Sequence, residues 1–98
     1  MNNTTAKTIF TFLDESGDES TLSLDKFVAD KLARSVGDIH AWIQAQYHGI
    51  RAGEERFAKV IKSFKRRGEP FSRRTIGDII RVVAFMRIAS EIDDSEFL

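Results

Sequence analysis

The sequence predicts a mainly α-helical domain with a short N-terminal β-strand or hairpin, its four helices forming one compact unit that pairs as a dimer. Three observations carry this. Apolar residues recur at helical spacing through most of residues 24–90. Residues 8–13 (TIFTFL) are instead rich in β-branched and aromatic side chains, which suit a strand. The last helical stretch is apolar around most of its circumference. Such a helix must be buried on more than one side, as a central core helix or a dimer interface. Ile76, Ile80, Val83 and Met86 are the residues expected there.

The elements follow in order. Residues 1–7 read as a flexible tail and 8–13 as the strand. Residues 14–20 (DESGDES) form a polar turn around Gly17, and 21–24 form a return strand. A helix begins near Ser23 or Leu24, with Phe27, Val28 and Leu32 on one face. A break is expected at Arg34 and Ser35, where Ser35 and Asp38 resemble a capping box. The second helix, 35–47, carries Val36, Ile39, Trp42 and Ile43 on one side, with Gly49 and Gly53 punctuating its end. Glu54 and Glu55 favour the positive start of a third helix, whose Phe57, Val60, Ile61 and Phe64 share a face. Gly68, Glu69 and Pro70 stop it. The fourth helix starts at Ser72 or Thr75, and residues 91–98 read as a second, acidic flexible tail. Residues 1–98 thus make one domain.

Composition narrows the function. There is no cysteine, which excludes disulfides and the common structural zinc sites and fits a reducing, cytoplasmic setting. No apolar run approaches the roughly 18 residues of a membrane span, so no membrane partner is expected. Net charge is zero, but its distribution is uneven. Residues 1–48 carry net −3, residues 49–74 net +6 and residues 75–98 net −3. The central basic segment suggests a surface facing a polyanion.

Residues 25–44 (DKFVADKLARSVGDIHAWIQ) resemble the helix-turn-helix motif of bacterial, phage and plasmid regulators. Ala29 stands at the small position of the first helix, between apolar Val28 and Leu32. Ser35 supplies the polar start of the second helix, and Ile39 and Trp42 its core positions. Ala33 stands where that motif usually has glycine, and Arg34 where it usually has a buried aliphatic residue. The resemblance implies a homodimeric double-stranded DNA-binding protein, a small transcriptional regulator or accessory factor, with helix 35–47 reading the major groove. Ser35, Val36, Gly37, His40, Ala41 and Gln44 would then face base edges, Gln44 suiting adenine. Arg34, Lys59, Lys62, Lys65, Arg66, Arg67, Arg73 and Arg74 would face phosphates. The strand at 8–13 followed by two helices is also similar to the ribbon-helix-helix family, which would bring Thr8, Phe10 and Thr11 to the DNA.

No enzyme is expected. Residues 12–18 (FLDESGD) resemble the opening strand of an uncharacterised family of RNase H-like nucleases, in which the first Asp binds metal. That family needs further acidic residues on later strands, and the remainder here is helical. His40 and His48 lack metal-ligand spacing, no nucleophile–base grouping is evident, and no cofactor or metal is expected. The alternative is a non-enzymatic module that binds a protein partner through the apolar C-terminal helices.

Overall fold

The structure, a computed structural model, describes residues 6–66 and 72–91. Strands β1 (Lys7–Leu13) and β2 (Glu19–Asp25) form an antiparallel hairpin. Helices α1 (Lys26–Val36) and α2 (Ile39–Ala52) follow. A single 3-10 turn (Glu55–Phe57) leads into α3 (Ala58–Arg66), and α4 (Arg73–Glu91) closes the described chain.

The hairpin obeys the two-residue period of a half-buried sheet. Phe10 and Phe12 on β1 and Leu22 and Leu24 on β2 point into the core, while Ile9, Thr11 and Leu13 point outward. Phe10 stands opposite Leu22, and Lys7 opposite Asp25. The ladder is longer than the sequence suggests. Lys7 pairs with Asp25 at 3.4 Å, and the Lys26 N–H donates to the Ala6 carbonyl. Lys7 therefore belongs to β1 rather than to a tail, and α1 waits until Lys26. Asp14 organises the turn between the strands. Its carboxylate accepts from the N–H groups of Ser16 and Asp18 at 2.9 and 3.0 Å. Gly17 supplies the positive φ of 83°. This is an Asx-type turn, in which a side chain replaces backbone pairing.

The junction of α1 and α2 corrects the sequence reading. The chain does not break at Arg34 and Ser35; both lie in the last turn of α1. It breaks at Gly37, whose φ of 80° and ψ of −89° suit a residue without a Cβ. The Gly37 N–H closes α1 on the Ala33 carbonyl at 2.9 Å. Asp38, not Ser35, then caps α2 by accepting from the Ala41 N–H at 3.1 Å. Serine is merely a weak helix former, whereas a glycine with positive φ ends the ladder. The second helix accordingly spans Ile39–Ala52 instead of 35–47, and it ends on left-handed Gly53. Gly49 lies inside it.

Two further boundaries move. Glu55 opens the 3-10 turn, and α3 begins only at Ala58. The Ser72 hydroxyl accepts from the Thr75 N–H at 3.3 Å at the start of α4. The expected stop at Gly68, Glu69 and Pro70, and the tail beyond Glu91, lie outside the described residues.

One core joins all elements. Ile39, Ile43, Tyr47 and Ile50 of α2 meet the hairpin phenylalanines, and Phe57 and Phe64 close one side. From α4, Ile76, Ile79, Ile80 and Ala84 are fully buried. Its outer side nonetheless leaves Val82, Phe85 and Met86 exposed. No described helix is long and apolar enough to cross a membrane.

Candidate nucleic-acid interface

The two halves of the sequence-predicted site have different fates. Among the residues expected at base edges, Ser35 and Val36 ride on the end of α1, half-buried. Ser35 Oγ accepts from Arg87 Nε of α4 at 2.9 Å, and Val36 packs on the core. Gly37 is the turn. His40 and Ala41 lie exposed in the first turn of α2, where the His40 ring meets Phe10 edge to face at 5.3 Å. These residues therefore do not line one face of a single helix.

Gln44 has a different task. Its Oε1 accepts from the Leu13 N–H at 2.8 Å, and its Nε2 donates to the Leu13 carbonyl at 2.8 Å. The amide thus copies the pairing of a neighbouring strand and clamps the outer edge of β1 to α2. The Leu13 backbone fixes which amide atom is oxygen. Gln44 Nε2 also lies 3.1 Å from His48 Nε2. Bidentate bonding of Gln44 to adenine would require it to give up both Leu13 bonds. Arg81 of α4 does the equivalent for β2, donating to the Ser23 carbonyl at 2.9 Å while paired with Asp78 at 2.7 Å.

Replacing Gln44 by alanine should therefore cost stability, about 1–2 kcal/mol for two hydrogen bonds at a partly wetted site. Hydrogen exchange should show the Leu13 amide losing protection in Gln44→Ala. Unchanged protection at Leu13 would contradict the clamp.

The hairpin tip is fastened to the same helix. The Tyr47 hydroxyl donates to the Glu15 carboxylate, and the Glu15 N–H donates back to the Tyr47 oxygen at 3.2 Å. Arg51 reaches the other Glu15 oxygen at 3.5 Å. Burial holds the Tyr47 phenol above its ordinary pKa, with the adjacent Glu15 carboxylate acting in the same direction. The phenol consequently stays protonated and remains a donor at neutral pH. Sequence reading missed this contact, since Glu15 and Tyr47 are 32 residues apart.

The basic residues fare otherwise. Lys59, Lys62 and Lys65 lie exposed along one side of α3, opposite buried Phe64. The spacing of three explains the row, since successive steps of three stay on one helix face. None of the three amines makes an ion pair with a described residue. Arg34 is exposed on α1 and Arg74 on the first turn of α4. Arg66 ends α3 and Arg73 begins α4; their side chains, and all of Arg67, lie outside the described residues.

Of the strand residues that a ribbon-helix-helix arrangement would bring to DNA, Phe10 faces the core, Thr8 is half-buried and Thr11 faces out. The partner of β1 is β2 of the same chain. Ile76 and Ile80, expected in a core or a dimer interface, lie in the core, whereas Val83 is half-buried and Met86 is 59% exposed. Among the described residues, no group of three His, Asp or Glu side chains is placed to hold a metal ion. Comparisons with protein-family models, curated proteins and solved structures find no match to this chain.

Proposed function

We propose that this chain is a small, non-enzymatic DNA-binding protein, a regulator or accessory factor, that grips the phosphates of double-stranded DNA with α3. The observation that carries this is the exposed row of Lys59, Lys62 and Lys65, in a segment of net charge +6 within a neutral chain. The row extends about 9 Å along the helix axis. That length spans roughly three phosphates of one strand at their spacing along the duplex axis. Affinity in this arrangement comes from counterion release and is steeply salt-dependent.

Base-edge readout by the second helix is the weaker part of the sequence expectation, because Gln44 is spent on β1 and Ser35 and Val36 belong to α1. The reading supported here is backbone contact with modest sequence preference. Pairing of two chains suits it, since two basic helices double the number of phosphates held. Val82 and Phe85 on the outer side of α4 are the residues best placed to join two copies, Phe85 being 60% exposed.

The test is a titration of the protein onto a random-sequence duplex at several salt concentrations, beside a variant carrying Lys59→Gln, Lys62→Gln and Lys65→Gln. Wild type should bind at low salt. The variant should bind more weakly, with a log–log salt slope reduced by about 3 for three lost phosphate contacts. Absence of wild-type binding at low salt, where attraction is greatest, would end the proposal.

A further inference from the structure

The basic row of α3 begins beside the second half of α4. Lys59 and Val60 border one groove with Val83 and Met86. From Met86, α4 runs on to Glu91, about 7.5 Å further along its axis. Residues 92–98 (IDDSEFL) follow and lie outside the described residues. They carry Asp93, Asp94 and Glu96 and no cation. Residues 58–67 are the opposite, with Lys59, Lys62, Lys65, Arg66 and Arg67 and no anion. Glu55 stands one turn before Lys59 and offsets that end of the row, so the unbalanced charge centres on Lys62 and Lys65. Seven extended residues reach roughly 23–25 Å, more than the ~9 Å length of the row.

We propose that residues 92–98 occupy the basic face of α3 in the free protein, with Asp93, Asp94 and Glu96 against Lys62 and Lys65, so that a duplex must displace them to bind. The regulatory consequence rests on the DNA-binding reading; the contact itself does not. Three features select this occupant. Its charge complements a row whose amines make no ion pair with a described residue. It departs from the end of α4, near the start of the row, with length to spare. It is also tethered, which presents it at a local concentration on the order of millimolar and avoids the rotational and translational cost that a separate acidic protein meets. Exposed ion pairs of this kind are individually weak and screened by salt. They suit an occupant that DNA can remove, because a duplex offers more phosphates than the segment has carboxylates and adds counterion release.

The chain has no cysteine, so Ser95→Cys places a single nitroxide label on the full protein. At low salt the amide resonances of residues 59–66 should lose most of their intensity, while that of Gly17 at the hairpin tip keeps its own. Intensity on α3 should return in roughly 1 M salt, where the screening length is about 3 Å. It should return likewise in a protein carrying Lys59→Gln, Lys62→Gln and Lys65→Gln, whose melting curve establishes that it folds. Separately, Asp93→Asn, Asp94→Asn and Glu96→Gln together should raise duplex affinity at low salt about fivefold or more. The same three changes should leave affinity unchanged in the lysine variant. Unbroadened α3 resonances, or broadening that persists in high salt or in the lysine variant, would overturn the proposal. So would an equal gain in affinity in both backgrounds, which would assign the effect to net charge alone. The label reads the contact without DNA. Broadened α3 in a protein that fails to bind duplex would end the DNA-binding reading and keep the contact, whereas duplex binding with unbroadened α3 would end this inference alone.

Discussion

Replacing Ile79 by alanine is expected to destabilise the protein by about 2–5 kcal/mol. The side chain is fully buried, on the half of α4 where Ile76 and Ile80 are fully buried as well. Truncation removes three methyl or methylene groups from contact and leaves a hole that α1, α2 and the hairpin cannot collapse to fill without losing their own contacts. A domain of this size has about 5–15 kcal/mol in all. The melting temperature should fall by roughly 10 °C or more. The informative control lies two turns away on the same helix. Phe85→Ser removes a larger apolar group, yet Phe85 is 60% exposed. Its effect on thermal unfolding of the monomer should stay within about 0.5 kcal/mol. Equal losses for the two variants would mean that α4 does not present the faces described.

The second large effect comes from adding a single methyl group. In an exposed helix, glycine to alanine gains up to about 1 kcal/mol. Gly49→Ala should do the reverse, a net loss of about 1–2 kcal/mol, because overpacking costs more than propensity returns. A Cβ at Gly49 would stand 2.6 Å from Phe57 Cε2 and 2.8 Å from both Arg56 Nη2 and Glu54 Oε1. The Arg56 and Glu54 side chains can swing aside. The Phe57 ring cannot, since it is 2% exposed and seated in the core. Relief requires the 3-10 turn to shift, which the Phe57 ring resonances would report together with the melting curve. A stabilised Gly49→Ala protein would show that the turn does not pack where it is placed.

Both predictions turn on facts that differ in how far the sequence reveals them. The helical spacing of Ile76, Ile79, Ile80 and Val83 marks α4 as a core helix on inspection. The spacing does not say which part of an apolar circumference stays bare, because that depends on which neighbours reach it. Val82, Phe85 and Met86 look as apolar as Ile79 in the sequence, and only packing separates them. Gly49 reads as a helix terminator because glycine usually ends helices. Its role inside α2 is set by a turn that follows it in the chain and folds back on it.

The candidate interface divides in the same way. Lysines at positions 59, 62 and 65 opposite Phe64 need only the helical period to be placed on one exposed face. Gln44 and Ser35 could not be assigned so. A polar side chain near a helix surface takes whatever backbone or side-chain partner tertiary structure brings to it. For Gln44 that partner is the edge of β1, 31 residues away, and for Ser35 it is Arg87, 52 residues away.

Local pattern was thus enough for a strand at 8–13, the polar turn around Gly17, the helical class of most of residues 24–90 and the concentration of positive charge on α3, but not for every buried face, since Phe27, placed by its spacing with Val28 and Leu32, is 62% exposed. The first four are local properties, fixed by side-chain period, by backbone freedom at glycine and by net charge. Tertiary structure alone decided that α1 runs on to Val36, that the Gln44 amide closes a strand edge, that Glu15 meets Tyr47, and which apolar residues remain uncovered. Each of these depends on groups distant in the chain competing for one hydrogen-bonding site or one patch of surface, and the outcome of that competition is set by packing geometry.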